Sequence, residues 1–482
     1  MTRLIHYIMA VATAVAVLPA HAVGPVAQEQ RSYAPAAPGS DLNAYQNVSV
    51  AANNKAVQCW MALSAPEQTI TYDVRIRPLN NSGAPTGSVV SVPNPGTDLV
   101  AFPSCTVAPD GTASMVYARI PFEDQIPDPA GITLQFRQLS PEGVLGAEIL
   151  LENIGGLSVG PPAWIARSTT GELWVTYNAF DSVRGGSRIE LLRLDPAGNR
   201  LGSPTVLAEN YADVDPGVLD GIPAVPFVVF SPSGQAVASW RRVGIQTTSG
   251  PIDAFEYRRL SLSGAPAATT NRFPGRGNPF DVIYSANVAI NDAGTVTIGW
   301  SELCNDTPPF PTAQCQRFAS SYLSRFNAND EPLLDAIDIT HPRFFGSQTP
   351  SIVSDASGRA LVAVHATTAP DPALNQSSSH SIVRAYGDQG MVSSGYEFAS
   401  RFDEYDGLPV LAAIPGTNQA LLTAITYTGT GTVDRTGISA RKISSTAVDL
   451  RTVLLDALGP VLGATGPIGT SLLDAVELVP LN

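Results

Sequence analysis

A unit of about 60 residues repeats along this chain, and it limits the possible folds more than any other feature. Four copies share an apolar strand, a short turn ending in glycine, an alternating strand, and an aromatic residue six positions after the glycine. These pairs are Gly111 with Tyr117, Gly171 with Tyr177, Gly234 with Trp240 and Gly294 with Trp300. Looser copies lie at Asn54, Gly358 and Asn418, so that successive turns are 57 to 64 residues apart.

A second hairpin lies in each repeat after the first. Its turns, such as NNSG, DPAG and GDQG, are flanked by alternating segments, which is typical of β-hairpins. Two hairpins give four strands, the content of one propeller blade. Seven repeats from 47 to 455 therefore predict an all-β chain, a seven-bladed β-propeller of four-stranded antiparallel blades. A pair of β-sandwiches is the alternative, although sandwiches do not repeat their own sequence in this way.

Each repeat also carries an arginine one or two positions before the apolar residue that leads into the second turn. The seven arginines are Arg77, Arg137, Arg193, Arg259, Arg325, Arg384 and Arg441. We expect each arginine stem to lie over the neighbouring sheet and each guanidinium to stay in water. The aromatic column is expected to pack between blades. Both columns are therefore interpreted as scaffold.

Two of the repeat motifs, RLDPAGNRLGSPTVL and PFVVFSPSGQAVASW, resemble those of bacterial exported β-propeller repeat proteins. The resemblance covers most of the chain and implies the propeller architecture. It implies no activity, because one architecture hosts many functions.

The segments outside the repeats indicate export. Residues 1–22 are interpreted as a signal peptide, because an apolar run follows Arg3 and the segment ends in an A-x-A cleavage pattern. A membrane anchor is the alternative, but this run is short for a span, and we expect no transmembrane segment in the mature chain. Residues 23–46 are predicted to be a linker, and 456–482 a C-terminal tail; either segment could supply a strand that closes the ring. The predicted location is periplasmic or extracellular.

The charge of the chain restricts its partners. The formal net charge is -14 at pH 7, and an acidic protein is repelled by phosphate backbones. Nucleic acid is therefore not an expected partner, whereas a protein or a glycan is compatible with this charge.

Four cysteines in an exported chain favour disulfides. Cys304 and Cys315 bracket one short loop and are predicted to pair. Cys59 with Cys105 then follows by elimination and would join the first two repeats. A zinc site is the alternative, but no two cysteines have C-x2-C spacing and no histidine is near in sequence.

The repeat map also predicts a binding face. The tight turns share one face of the disc, so the longer connections of varied length lie on the other face, where binding residues usually occur. These connections are rich in acidic and aromatic residues. The candidate ligand-binding residues are Glu123, Asp124, Asp128, Tyr211, Asp213, Asp215, Asp220, Asp403, Glu404, Tyr405 and Asp406. They would suit a cation, a basic partner or a sugar; a solvated acidic surface that keeps the protein in solution is the alternative.

Calcium is the one cofactor that the sequence brings into question. The segment DVDPGVLDG alternates acidic oxygens as calcium sites do, but it lacks the Gly and Glu positions of an EF-hand loop and does not recur in other repeats. No cofactor is expected, and no metal ligands are assigned.

Catalysis is not the preferred interpretation. No G-x-S-x-G elbow and no H-E-x-x-H motif occurs, and no catalytic residue is assigned. A glycan-active hydrolase or lyase remains the alternative, with Asp213, Asp403 and Asp406 as candidate acid and base, since such enzymes need only two opposed carboxylates. The sequence favours a non-catalytic binding propeller that uses its long-connection face against a protein, glycan or envelope component.

Overall fold

The computed structural model describes residues 41–445, apart from 65–70, 95–97, 124–125, 128–130, 157–160, 182–183, 212–219, 248–249, 275–280, 305–318, 341–345, 368–378, 400–403 and 429–434. The described residues form antiparallel sheets and contain no helix. The prediction of an all-β, seven-bladed propeller with four-stranded antiparallel blades is confirmed.

Four blades come from the first half of the chain, each built from consecutive strands. Blade 1 contains β1 (Asp41–Ala51), β2 (Lys55–Ser64), β3 (Thr71–Leu79) and β4 (Val90–Ser91). Blade 2 contains β5 (Leu99–Val107), β6 (Ala113–Ile120), β9 (Thr133–Leu139) and β10 (Ile149–Asn153), with a small ribbon of β7 (Phe122–Glu123) and β8 (Ile126–Pro127). Blade 3 contains β11 (Ala163–Arg167), β12 (Leu173–Asp181), β13 (Gly186–Leu194) and β14 (Thr205–Tyr211). Blade 4 contains β15 (Asp220–Phe230), β16 (Ala236–Thr247), β17 (Gly250–Leu260) and β18 (Asn271–Pro274).

Three more blades complete the ring. Blade 5 contains β19 (Asp281–Ile290), β20 (Val296–Cys304), β21 (Ala319–Phe326) and β22 (Pro332–Asp338). Blade 6 contains β23 (Gly346–Ser354), β24 (Ala360–Thr367), β25 (Ser379–Gly387) and β26 (Gly390–Ala399). Blade 7 has three described strands, β27 (Glu404–Ala413), β28 (Gln419–Thr428) and β29 (Arg435–Ser444).

The first strand of every blade lies at the centre of the ring. Each of these seven strands contacts the first strands of both neighbouring blades, and β1 contacts β27 to close the circle. Between blades 7 and 1, Val48 and Leu79 pack with Leu421 and Ala440. The Gln46 side chain also donates a hydrogen bond to the Leu408 carbonyl at 2.8 Å. Among the described strands, the ring therefore closes by packing of blade 7 against blade 1.

The two hairpins of a blade end in the same kind of turn. In blade 2, the Gly111 N–H donates to the Ala108 carbonyl at 2.9 Å, and the Ala108 N–H donates to the Thr112 carbonyl at 2.9 Å. The second hairpin repeats the pattern, with the Gly143 N–H donating to the Ser140 carbonyl at 2.9 Å. Gly111 has φ +100°, a conformation that glycine adopts without a steric penalty. The local turn chemistry of the sequence thus fixes both hairpins.

The core consists of layers between blades rather than one central mass. The aromatic column lies in these layers, as predicted, because Trp60, Tyr117, Tyr177 and Trp240 are fully buried. Trp240 packs among residues of blades 3 and 4, and Tyr117 packs among residues of blades 1 and 2. Each aromatic ring therefore buries its area against the preceding blade.

The arginine column differs from the prediction. We expected solvated guanidinium groups, but Arg77 and Arg325 are only 3% and 2% exposed. Arg325 reaches from blade 5 to blade 6, where it donates to the Tyr386 carbonyl at 3.0 Å and to the Asp388 carboxylate at 2.9 Å. Burial lowers the pKa of Arg77 to about 10. The expectation of water around these two groups is wrong, because protein acceptors surround them: the Gln58 side chain of the same blade for Arg77, and the turns of the next blade for Arg325. The scaffold role remains.

One of the two predicted disulfides is present in the described residues. Cys59 in β2 is bonded to Cys105 in β5 and joins blade 1 to blade 2, as predicted. Cys304 ends β20, whereas Cys315 lies outside the described residues.

The predicted end segments fall largely outside the described residues. This holds for the predicted signal peptide 1–22 and for the tail 456–482. The predicted linker 23–46 overlaps the structure, because β1 already begins at Asp41. Within the described part of the chain, no helix is long and apolar enough to span a membrane.

Candidate functional site

The two ends of the ring are unequal. Every first and third strand of a blade runs toward a tight turn, so these turns collect at one end, which we call the tight-turn face. The connections from second to third strand, and from one blade to the next, lie at the other end, the long-connection face. This arrangement follows directly from the strand order, and it agrees with the face predicted from the repeats.

The predicted binding residues belong to the long-connection face by their backbone positions. Tyr211 ends β14 and Asp220 begins β15, so both lie where the chain passes from blade 3 to blade 4. Glu404, Tyr405 and Asp406 begin β27 in blade 7. Their grouping around a ligand stays a prediction.

Of the remaining predicted residues, only Glu123 lies within the described part of the chain. Glu123 lies in the ribbon strand β7 of blade 2. Asp124, Asp128, Asp213, Asp215 and Asp403 lie outside the described residues, and so does most of the segment proposed for calcium. Among the described residues, no three His, Cys, Asp or Glu side chains are grouped as metal ligands would be.

A cavity of about 650 Å³ occupies the centre of the ring and opens toward the tight-turn face. All seven first strands line it, and the lining extends to the tight turns at Ala52, Pro109 and Pro232. Aromatic and aliphatic side chains dominate its wall, including Trp164 and Phe230. Trp164 is held against Phe227 of the next blade, with ring centroids 4.9 Å apart. A cavity of this size and character can hold a small apolar ligand.

The described wall of this cavity contains no carboxylate. Its only charged residue is Arg167, whose guanidinium donates to the Gly171 carbonyl at 2.9 Å and to the Ser114 hydroxyl at 3.2 Å. Glycoside hydrolysis needs two carboxyl groups about 5 to 10 Å apart. The described wall of this cavity therefore does not hold the acid and base of such an enzyme.

A ring of β-bulges marks the channel on the long-connection side of the cavity. The pairing of first and second strands shifts register at one point in blades 1, 2, 4, 5, 6 and 7. Four of these bulges place a bulky residue at positive φ: Tyr45 at 44°, Phe102 at 55°, Val225 at 51° and Leu408 at 49°. Such strained conformations are uncommon outside glycine and concentrate at functional sites.

The bulges bring an aromatic pair toward solvent. Tyr45 is 46% exposed, and its ring meets that of Phe102 edge-on with centroids 4.8 Å apart. The pair spans the boundary of blades 1 and 2 at the channel. We did not predict either residue, because nothing in the hydrophobic pattern separates them from core positions. A proline follows Phe102, Val225 and Leu408 in the sequence, and this repeated proline is the signal that could have located the bulges.

One carboxylate of blade 2 is surrounded by three donors of the same blade. In blade 2, the Glu148 carboxylate accepts hydrogen bonds from the Tyr117 hydroxyl at 2.5 Å, from Arg119 at 2.7 Å and from Arg137 at 3.1 Å; we call these four residues the Glu148 cluster. Burial opposes the ionisation of Glu148, but the hydrogen bonds from Arg119 and Tyr117 outweigh it and hold the pKa at about 2. Burial and the adjacent carboxylate together raise the pKa of Tyr117. This tyrosine is therefore a hydrogen-bond donor and not a base.

Comparison with known proteins adds an architectural likeness only. No family model matches the chain, and no curated protein matches it. A protein of unknown function from Dyadobacter fermentans has a similar structure, with a TM-score of 0.45, 10% identity, and coverage of 87% of this chain and 100% of that one. A polysaccharide lyase has a TM-score of 0.45 and 9% identity, with coverage of 88% of this chain and 94% of that one. An α-L-arabinofuranosidase from Fusarium graminearum has a TM-score of 0.43 and 11% identity, with coverage of 72% of this chain and 94% of that one. At these values the likeness describes the course of the backbone and transfers no activity.

Proposed function

We propose that this protein is an exported, non-catalytic binding propeller that recognises a protein, glycan or envelope component with its long-connection face. The observation that carries the proposal is the ring of bulges, which places a residue at positive φ in the first strands of four blades and exposes the Tyr45 ring beside Phe102. Bulges often re-aim side chains at the rim of a barrel and beside functional sites. A strain repeated around the ring requires a reason beyond packing, and ligand binding supplies one.

The exposed aromatic pair suits recognition. Tyrosine and phenylalanine are enriched at binding interfaces, because a rigid ring offers a large contact area at a small entropic cost. The edge-on contact with Phe102 holds the Tyr45 ring in place before any ligand arrives.

Binding is preferred to catalysis because of the wall of the central cavity. Its described residues provide an apolar surface and one arginine, but no acid and base pair. A glycan-active enzyme would have to take both groups from the long connections, for instance from Asp213 and Asp403. That alternative makes a different prediction about product formation, which the following experiment includes.

The test is a thermal-shift screen of the mature protein against a glycan panel, calcium and other divalent ions, because a ligand that binds only the folded state raises its melting temperature. The variant Tyr45→Ala removes the exposed ring, and Leu262→Ala is the control, since Leu262 is 77% exposed in a turn of the tight-turn face. We expect a stabilising glycan to lose its effect in Tyr45→Ala and to keep it in Leu262→Ala, with no product formed. Loss of binding in Leu262→Ala alone would contradict the assigned face, and release of cleaved glycan would establish the enzymatic alternative.

A further inference from the structure

Besides the apolar central cavity, a polar crevice lies between blades 3 and 4, away from the central channel. It has a volume of about 330 Å³. Val206 to Glu209 of β14, the last strand of blade 3, form one wall. Trp240, Arg242, Arg258 and Thr270 of blade 4 form the other wall. The crevice therefore lies between two neighbouring blades, and none of its lining residues lines the central cavity.

The side chains of blade 4 reach this crevice because of their register. Trp240 is paired with Glu256, and Arg258 lies two positions after Glu256 on the same strand, so all three point to one face of the blade. Arg272 is paired with Glu256 from the other side. Three arginines, counting Arg242, thus gather on the face of blade 4 that meets blade 3.

Within the described residues, the Glu256 carboxylate pairs with two of these arginines, and both of its oxygens accept hydrogen bonds. Glu256 is completely buried and accepts hydrogen bonds from Trp240 at 2.6 Å, from Arg242 at 2.9 Å and from Arg272 at 2.5 Å. Arg258 donates instead to the Thr270 hydroxyl at 2.5 Å and forms no ion pair within the described part of the chain. Arg258 is therefore the arginine of this group that no carboxylate of the described residues contacts.

Blade 2 shows how the same positions are neutralised elsewhere in the ring. Arg137 has the register of Arg258, since Met115 pairs with Arg137 as Ala238 pairs with Arg258. Arg119 follows Tyr117 by two positions, as Arg242 follows Trp240.

The difference lies in the residue that meets the two arginines. In blade 2 the Glu148 carboxylate lies between Arg119 and Arg137, at 2.7 and 3.1 Å. In blade 4 the hydroxyl of Thr270 takes the contact to the second arginine. Blade 4 therefore retains the cationic half of the arrangement without the corresponding carboxylate.

We propose that the crevice between blades 3 and 4 binds a small hydroxylated carboxylate, a uronate sugar, whose carboxylate pairs with Arg258 as Glu148 pairs with Arg137 in blade 2. A guanidinium presents its donors as a planar fork that matches a carboxylate in a bidentate manner. The crevice volume is at the low end of ligand sites, which fits one sugar ring rather than a chain.

The wall formed by blade 3 further restricts which ligands the crevice can bind. Glu209 is exposed at the crevice and makes no ion pair within the described residues. Its charge disfavours a dianion such as phosphate, whereas it accepts hydrogen bonds from sugar hydroxyls. A ligand with one negative charge and several hydroxyl groups satisfies both walls.

The proposal is tested by isothermal titration of the full mature protein with glucuronate, glucose and inorganic phosphate at low ionic strength. Arg258→Gln removes the charge, and Thr270→Glu restores on the chain the carboxylate that blade 2 has. Arg200→Gln is the control, because Arg200 is a surface arginine paired with Glu152. We expect glucuronate to bind the wild type and Arg200→Gln, and to bind Arg258→Gln at least about tenfold more weakly, as loss of one charge-assisted contact implies.

The variant Thr270→Glu distinguishes loss of the contact between Arg258 and glucuronate from a general loss of folding. It should raise the melting temperature by neutralising Arg258, while abolishing glucuronate binding. Glucose should not bind any of the variants, and phosphate should bind less tightly than glucuronate. Equal affinity of Arg258→Gln and wild type for glucuronate would overturn the proposal, as would absence of glucuronate binding to the wild type, or tighter binding of phosphate or glucose.

Discussion

The Glu148 cluster gives the sharpest prediction about stability. Glu148→Gln keeps the size and one acceptor of the side chain but removes the charge that Arg119, Arg137 and Tyr117 share. A pKa lowered from 4.5 to about 2 corresponds to roughly 3 kcal/mol of stabilisation at neutral pH. The Glu148 side chain is 23% exposed, and solvent screening reduces this to about 2 kcal/mol.

The expected loss is measurable by calorimetry. Unfolding entropy near 60 °C scales with chain length, so that 482 residues correspond to about 1 kcal/mol per degree. Glu148→Gln should therefore lower the melting temperature at pH 7 by about 2 °C. Glu142→Gln is the control, since Glu142 is an exposed residue of the adjacent turn, and it should melt within about half a degree of the wild type.

The pH dependence distinguishes charge from shape. A carboxyl group with a lowered pKa in the folded state stabilises the fold fully above its unfolded value, and this contribution is lost as the pH falls through the folded value. For Glu148 that interval runs from 4.5 down to about 2. The difference between wild type and Glu148→Gln should thus shrink by more than half at pH 3. A difference that is the same at pH 7 and pH 3, or absent at pH 7, would refute the reasoning.

Two further predictions concern the scaffold. Replacing Cys59 and Cys105 by alanine opens a loop of 46 residues and should lower the free energy of unfolding by about 4 kcal/mol. In calorimetry, reductant should lower the melting temperature of the wild type but not that of this double variant. Gly198→Ala should lower the melting temperature by about 3 °C, because a Cβ there would lie 2.3 Å from the Phe136 ring at φ +93°; Gly202→Ala, with φ +117° and open space, should lose only about 1 °C. Equal melting temperatures for the two glycine variants would contradict the packing argument.

The fold was predictable because its determinants are local. Each tight turn needs a residue such as Gly111 that tolerates positive φ, and this requirement recurs at a fixed spacing. The aromatic residue six positions later then has a fixed register within the hairpin, so its burial between blades followed from the sequence. The Cys59–Cys105 pairing was predictable by elimination, because Cys304 and Cys315 bracket one loop.

The parts that could not be predicted depend on contacts between blades. The acceptors of Arg325 lie more than 30 residues away, on the next blade, and nothing near Arg325 in sequence indicates them. The bulge at Tyr45 has no proline after it, unlike that at Phe102, so sequence alone gives no sign of it. Several of the predicted ligand residues, such as Asp213, belong to connections whose length does not determine their path.

The arginine column contains residues that differ by one position in strand register, and this difference concealed a candidate site in the sequence. Side chains alternate between the two faces of a strand, so a shift of one position sends the group to the opposite blade. Arg259 was assigned to the column together with Arg137, yet Arg259 points to blade 5, where it binds Asp330, and Arg258 is the residue that has the register of Arg137. A column defined as one or two positions before the apolar residue that leads into the second turn therefore combined two structural roles. Once the register separates these two roles, blade 4 is found to lack the carboxylate that pairs with the equivalent arginine in blade 2. At such a departure from the repeat, a ligand can supply the carboxylate that the chain does not.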